Sequence, residues 1–195
     1  MLTVILTGGD SRRMGCDKAT LPWGGATLLQ TLIDRYAALG PVAVSVNAAG
    51  RFPFTGAAEL VDPAPGLGPL NGVASAFAET DAEEIFLTAT DLPYGDPALA
   101  VRLSELRGTA DACLLAHGRK GIEPVFAVYG RRCGAAAEAC LAAGKKSFRD
   151  MLADLDVRLV RPEELRGFDL GRILTNVNTP ADYAALRAAP PGSSL

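Results

Sequence analysis

Histidine is nearly absent from this chain, cysteine is sparse, and neither sign of charge dominates. Of 195 residues one is histidine, His117, and four are cysteine: Cys16, Cys113, Cys133 and Cys140. They are scattered, with no C-x-x-C pair, which argues against a zinc site and against a disulfide framework. Basic and acidic residues number 19 and 22, for a net charge of −3. That balance gives no general pull toward nucleic acid or anionic lipid. No apolar run approaches the length of a membrane span, and the N-terminus opens a strand rather than a charged leader. The expected location is the cytosol, with no nucleic-acid or membrane partner.

Apolar residues make up 49% of the chain, too many for a disordered protein. The length suits one domain with a full core, expected over residues 1–188. No repeat, linker or second domain is visible. Ala189 to Leu195, rich in Pro, Gly and Ser, reads as a frayed tail.

Strand and helix patterns alternate. Thr3 to Leu6 is a short β-type run. Leu28, Leu29, Leu32, Ile33, Tyr36 and Leu39 recur at helical spacing until Gly40-Pro41. Val42 to Val46, Ala58 to Val61 and Ile85 to Ala89 read as strands, with a helix from Pro69 to Ala78 between the last two. Asp96 caps a further helix with Pro97 in its first turn and Leu99, Leu103 and Leu106 on one face. Two strands (Ala112 to Ala116, Pro124 to Tyr129), two helices (Ala135 to Ala143, Phe148 to Leu155), a strand at Val157 to Val160 and a helix from Pro180 through Leu186 follow. This order predicts an α/β fold: a single domain with a mostly parallel sheet and helices on both faces. Cys133 and Cys140, seven apart on a predicted helix, read as small core residues. His117 reads as a solvated turn residue beside Gly118-Arg119-Lys120.

The chemistry concentrates at the N-terminus. After the first strand come Gly8 and Gly9, then Ser11, Arg12, Arg13, Gly15, Asp17 and Lys18. Glycines let backbone N–H groups approach phosphate oxygens, and a basic cluster neutralises the charge they bring. The spacing excludes the two commonest phosphate loops. Cys16 and Asp17 separate Gly15 from Lys18, so there is no Gly-Lys-Ser/Thr, and Gly8-Gly9 is followed by no glycine until Gly15. Cys16 has no histidine base nearby and reads as a packing residue rather than a nucleophile. In an open parallel sheet, ligands sit at the carboxyl ends of the strands. Asn47, Asp62 and Asp91 fall at the ends of the second, third and fourth strands. Asp91, held in Thr90-Asp91-Leu92-Pro93, suits a hard cation such as Mg²⁺, although an aspartate opening a turn is also common.

The pattern Leu6, Gly8, Gly9, Ser11, Arg13, Met14, Gly15, Asp17, Lys18, Leu21, Pro22 resembles the nucleotidyltransferase family, and within it the molybdenum cofactor guanylyltransferases. The resemblance spans about Thr3 to Leu186 and implies a Rossmann-like nucleotidyltransferase fold. It implies that GMP passes from GTP to the terminal phosphate of molybdopterin carrying molybdenum, with release of pyrophosphate. Lys18, Arg13 and Asp91 would be catalytic, with Asp91 the Mg²⁺ ligand. Leu6, Thr7, Gly8, Gly9, Lys18, Asn47, Asp62 and Asp91 would line the nucleotide, beside a G-P-L-x-G segment that holds Gly68 and Gly72. Asn176 and Asn178, in Asn176-Val177-Asn178-Thr179-Pro180, would serve the pterin side. Molybdoenzyme maturation proteins are further partners that the resemblance allows.

Glu123 stands where many relatives carry histidine. Lys145, Lys146 and Arg149 could meet an acceptor phosphate, with solvated charge as the default reading. Three other functions stay open. The cytidylyltransferase of the same cofactor usually reads Ala-Ala-Gly where this chain has Thr7-Gly8-Gly9, so guanine is favoured. Sugar-phosphate nucleotidyltransferases usually carry other acceptor motifs. A silent cofactor-delivery module would be expected to have lost Lys18 or Asp91.

Overall fold

Alternation of apolar residues along the first strand sets the architecture. Leu2, Val4 and Leu6 face one helical layer and Ile5 the other, all of them buried. A strand apolar on both faces must lie inside a sheet covered on both sides. The computed structural model describes residues 1–7, 17–64, 66–117 and 121–188, with only the backbone of His117. The strands are β1 (Leu2–Leu6), β2 (Pro22–Trp23), β3 (Ala26–Thr27), β4 (Val42–Val46), β5 (Ala58–Val61), β6 (Glu84–Ala89), β7 (Ala112–His117), β8 (Gly121–Gly130) and β9 (Val157–Val160). The helices are α1 (Leu28–Tyr36), α2 (Leu70–Glu79), α3 (Pro97–Arg107), α4 (Arg132–Ala142), α5 (Phe148–Met151), α6 (Leu170–Ile173) and α7 (Pro180–Ala188).

Seven strands form one sheet in the order β5-β4-β1-β6-β8-β7-β9. β1 pairs in parallel with β4 and β6, β4 with β5, and β7 with β9. β8 runs antiparallel to both its neighbours, β6 and β7. The sheet is therefore mostly parallel, as the alternation predicts. β2 and β3 make a separate two-stranded ribbon that the sequence pattern did not reveal. Two residues per strand are too few to show a period.

One face of the sheet carries α2, α4 and α5, the other α1, α3 and α6. Cys133 and Cys140 are buried in the first layer, as expected. The helices start on local caps: Thr27 accepts from the Gln30 N–H for α1, and Asp96 from the Ala98 N–H for α3, with Pro97 at its first position. A third, small cluster of Trp23, Leu28, Val177 and Leu186 ties the ribbon and α7 together.

Several boundaries differ from the sequence reading, among them the start of β8, at Gly121 rather than Pro124. α4 begins at Arg132, ahead of the expected Ala135, and α5 ends at Met151 rather than Leu155. The apolar spacing over 148–155 reflects packing of Leu152 and Leu155 against the core beyond the helix end. His117 is the last residue of β7, paired with Gly121, and not a turn residue. The tail, Ala189 to Leu195, lies outside the described residues.

Contact between α2 and α4 depends on Gly134. A Cβ built there would lie 2.6 Å from Phe77 Cβ, with the ring just beyond. So close an approach to a Cβ puts the overpacking cost at the upper end of its usual range, about 2–3 kcal/mol, against the roughly 1 kcal/mol that alanine gains over glycine in a helix. Gly134→Ala is therefore expected to lower unfolding free energy by about 1–2 kcal/mol in urea titrations. An unchanged midpoint would show that the two helices can part without cost.

Candidate active site

The carboxyl ends of β1, β4, β5 and β6 lie side by side, so residues far apart in sequence meet there. At the end of β1, the buried Thr7 hydroxyl donates to the Ser45 carbonyl at 2.7 Å. The side chain is thus used within the sheet, and the backbone is left to enter the glycine-rich segment. Gly8, Gly9 and Arg13, with Ser11, Arg12, Met14, Gly15 and Cys16, lie outside the described residues. Leu6 and Gly72 meet in the core: a Cβ on Gly72 would come within 2.4 Å of Leu6 Cδ2. That approach lets α2 sit close on β1.

The chain resumes at Asp17, which caps the 3-10 turn Lys18–Thr20 through Oδ1 and the Ala19 N–H. Its Oδ2 accepts from Arg51 Nη2 at 2.7 Å, and Arg51 Nη1 donates to Asn47 Oδ1 at 2.8 Å. Lys18 Nζ donates to the Val177 carbonyl and to Asn178 Oδ1, both at 2.8 Å. The Val177 N–H in turn donates to the Asp91 carbonyl at 2.9 Å. Lys18, Asp91 and Asn178 are thereby brought together from three separate parts of the chain.

Asp91 is partly buried; desolvation pushes its carboxyl above the ordinary value, and the nearby Lys18 charge pulls it back in part. Asp62 shows the same sign: burial raises it, while the Ser45 hydrogen bond and Arg51 oppose the rise. Ser45 Oγ donates to Asp62 Oδ1 at 2.8 Å, so Thr7, Ser45 and Asp62 form a chain across three strand ends.

The segment after Asp62 is held by a residue that the sequence reading did not single out. The buried Asn71 side chain accepts from the Ala64 N–H and donates to the Ala64 and Gly68 carbonyls. Its signal was available: an amide side chain among glycines and prolines is suited to clamp their backbone. Gly68 has φ +81° and open space where a Cβ would stand, so its backbone conformation requires glycine.

Asn176 and Asn178 flank the buried Val177, and both are exposed. Asn178 reaches Lys18, while among the described residues Asn176 makes a long 3.4 Å contact with the Leu174 carbonyl. The following helix is capped locally: Thr179 Oγ1 accepts from the Asp182 N–H, and Asp182 Oδ2 accepts from the N–H groups of Asn178 and Thr179. Those bonds hold the Asp182 carboxyl below its ordinary value. Glu123 lies in β8, its Oε1 accepting from the Val125 N–H. Lys145 and Lys146 are exposed, and Arg149 edges an open cavity of about 690 Å³ beside Ile122, Pro124 and Phe148.

A lysine just past a glycine-rich segment, beside an aspartate that ends the central strand of a mostly parallel sheet, is the arrangement that suits a nucleotidyltransferase of the α/β class. Comparison with known proteins narrows this. Residues 3–159 match the MobA-like NTP transferase domain, and the chain belongs to that family. It is 32% identical over 187 residues to the "Probable molybdenum cofactor guanylyltransferase" of Carboxydothermus hydrogenoformans, covering 95% of this chain and 94% of the relative. The protein of the same name from Pelotomaculum thermopropionicum is 32% identical over 186 residues, covering 94% and 90%. Among solved structures, molybdopterin-guanine dinucleotide biosynthesis protein A from Archaeoglobus fulgidus superimposes with a TM-score of 0.83 at 23% identity, covering 96% of this chain and 97% of that one. That likeness shows a shared fold.

Proposed function

We propose that the protein transfers GMP from GTP to the terminal phosphate of Mo-molybdopterin, giving the guanine dinucleotide cofactor and pyrophosphate. The observation that carries this reading is the junction of Lys18 with Asn178 and the Asp91 strand end. It joins the element that follows the phosphate loop to the segment assigned to the pterin. Relatives named as guanylyltransferases match the chain over nearly its whole length and support the same reading. Residues 1–188 would form the catalytic domain, working in the cytosol. No helix among the described residues is long and apolar enough to cross a membrane. Molybdoenzyme maturation proteins, which would receive the product, are the proposed protein partners.

In this reaction an oxygen of the acceptor phosphate attacks the α-phosphorus in line, a new P–O bond forms, and pyrophosphate leaves with the electrons of the broken bond. A phosphate monoester is already anionic, so no strong general base is required. Catalysis reduces to positioning and charge neutralisation. Lys18 supplies a cation beside the loop, and Arg13 a second one from within it. Asn47 and Asp62, on neighbouring strand ends, would hold the nucleoside, and Gly68 lets the backbone pass close to it.

The donor set at Asp91 fits Mg²⁺ better than a softer metal. No group of three or more metal-ligating His, Cys, Asp or Glu side chains occurs among the described residues, so a cation there would keep water and phosphate oxygens as its other ligands. Asp91 would hold Mg²⁺, which when bound neutralises charge on the triphosphate.

Lys18→Ala tests the assignment. Loss of one charge-assisted contact to phosphate should cost about 1.5–3 kcal/mol, spread over GTP affinity and rate. The same change frees Asn178, so Asn178→Ala is expected to weaken acceptor use while leaving GTP affinity nearly intact. Calorimetric titration with GTP and Mg²⁺, alongside pyrophosphate release, separates the two. Unchanged GTP binding and turnover in Lys18→Ala would reduce Lys18 to a surface charge that braces the C-terminal segment.

A further inference from the structure

Behind the strand ends, Glu59 of β5 turns its carboxylate into the loop that precedes it. Oε2 accepts from the N–H groups of Gly50 and Arg51, and Oε1 from that of Phe52. Three successive amides on one carboxylate make an internal anion nest, which fixes the backbone of 50–52. Arg51 leaves that nest with its guanidinium 5.2 Å from the centre of the buried Phe52 ring. Its two terminal nitrogens then part, one to Asn47 Oδ1 at the end of β4 and one to Asp17 Oδ2 just past the glycine-rich segment.

We infer that Arg51 is a positioning residue for the nucleotide, fixing which edge of the Asn47 amide meets the nucleoside, and that Glu59 acts through it. The inference rests on the reading of Asn47 and Lys18 as nucleotide contacts. A guanidinium has donors and no acceptor, so the Asn47 atom that faces it must be the oxygen. Nδ2 is thereby turned away from the guanidinium, and its two N–H groups are what Asn47 presents to the ligand: their partner on the nucleoside is an acceptor, a ribose oxygen or a base carbonyl. A flipped amide would set two N–H groups against a cation. The other nitrogen holds Asp17, whose second oxygen caps the turn that carries Lys18. One rigid fork thus braces both the nucleoside end and the phosphate end of the site. Lysine, a point charge on a flexible stem, cannot hold both partners in the same way.

The test compares Arg51→Met, Arg51→Lys, Glu59→Gln and the double variant Glu59→Gln/Arg51→Met by GTP titration with Mg²⁺, steady-state kinetics and thermal melting. Arg51→Met keeps the apolar stem over Phe52 and should raise both the Kd and the KM for GTP about tenfold, with kcat lowered no more than about threefold, as expected for loss of charge-assisted bonds that order the site. Arg51→Lys should recover part of that loss. Glu59→Gln alone should weaken GTP binding several-fold and add nothing in the Arg51→Met background, because its effect passes through Arg51. If Arg51→Met does not fold by circular dichroism, Arg51→Lys decides: it must bind GTP more weakly than wild type. GTP affinity within twofold of wild type in the folded Arg51 variants overturns the assignment, as do Glu59 and Arg51 effects that simply multiply. A wild-type protein that binds no GTP sinks the functional reading beneath it, a result distinct from wild-type binding with unaffected variants.

Discussion

Replacing Asp91 by asparagine is expected to lower pyrophosphate release by about 10²–10³-fold while leaving the circular dichroism spectrum unchanged. The substitution keeps shape and removes one negative charge at the point where positive charge must be held against the triphosphate, and single electrostatic groups of this kind are worth about 10²–10³ in rate. Stability should move the other way. The Asp91 carboxyl sits above its ordinary value of 3.8 because burial disfavours the ion. A carboxyl raised in the folded state binds its proton more tightly there than in the unfolded chain. Folding free energy is therefore greatest below the ordinary value and falls as pH rises through the raised one. At neutral pH the ionised form is a standing cost, which the amide lacks. Without added Mg²⁺, Asp91→Asn should melt at or above the wild-type temperature at pH 7, and the gap should close as pH approaches 4. Activity within a few-fold of wild type would remove Asp91 from the metal site, and a lower melting temperature at pH 7 would mean that the carboxylate braces the loop instead.

Such a trade between stability and function explains which parts of the site were legible in the sequence. Lys18 and Asp91 could be placed because each stands at a fixed offset from a strand signal, one after β1 and one after β6. The strand ends at Asn47 and Asp62 followed from the same periodicity. Residues that act by holding others left no comparable trace. The roles of Arg51 and Glu59 depend on bonds to side chains and amides of irregular backbone, whose positions no spacing rule gives; Asn71 differs, because an amide among glycines and prolines could have been singled out. Gly72 carries a further constraint that spacing does not show: its missing side chain leaves room for Leu6. The β8 direction was equally hidden, since a buried strand reads the same whether its neighbours run with it or against it. Val177, between the two asparagines, is apolar because it seats their segment on Trp23 and Leu28. Only the fold shows that this anchor delivers Asn178 to Lys18.

The wild-type protein is expected to use GTP over CTP by at least roughly 100-fold in kcat/KM, an estimate from two or more hydrogen bonds that the wrong base cannot make. Guanine presents an N1–H and an amino group as donors beside the O6 acceptor. Cytosine offers a different edge on a smaller ring, so groups built to pair guanine stay unsatisfied in a desolvated site. The structure links this preference to Thr7, whose hydroxyl bonds the Ser45 carbonyl while Ser45 Oγ bonds Asp62. Replacing Thr7-Gly8-Gly9 with Ala-Ala-Gly removes the first bond of that chain. It leaves the Ser45 carbonyl with the longer contact from the residue 7 N–H, 3.4 Å in the wild type. Asp62, proposed to meet the nucleoside, keeps its Ser45 Oγ bond, but the strand end that carries Ser45 is held less firmly to β1, and alanine in place of Gly8 narrows the backbone conformations open to the segment that follows. The exchange should bring the GTP-to-CTP ratio down to about tenfold while costing total activity less, because rejection depends on placement more strongly than turnover does. Parallel assays of GMP and CMP transfer to molybdopterin measure both numbers. Equal transfer of CMP by the wild-type protein would replace the guanylyl assignment with the cytidylyl one. An unchanged ratio after the exchange would move base selection away from Thr7 and onto other groups at the strand ends.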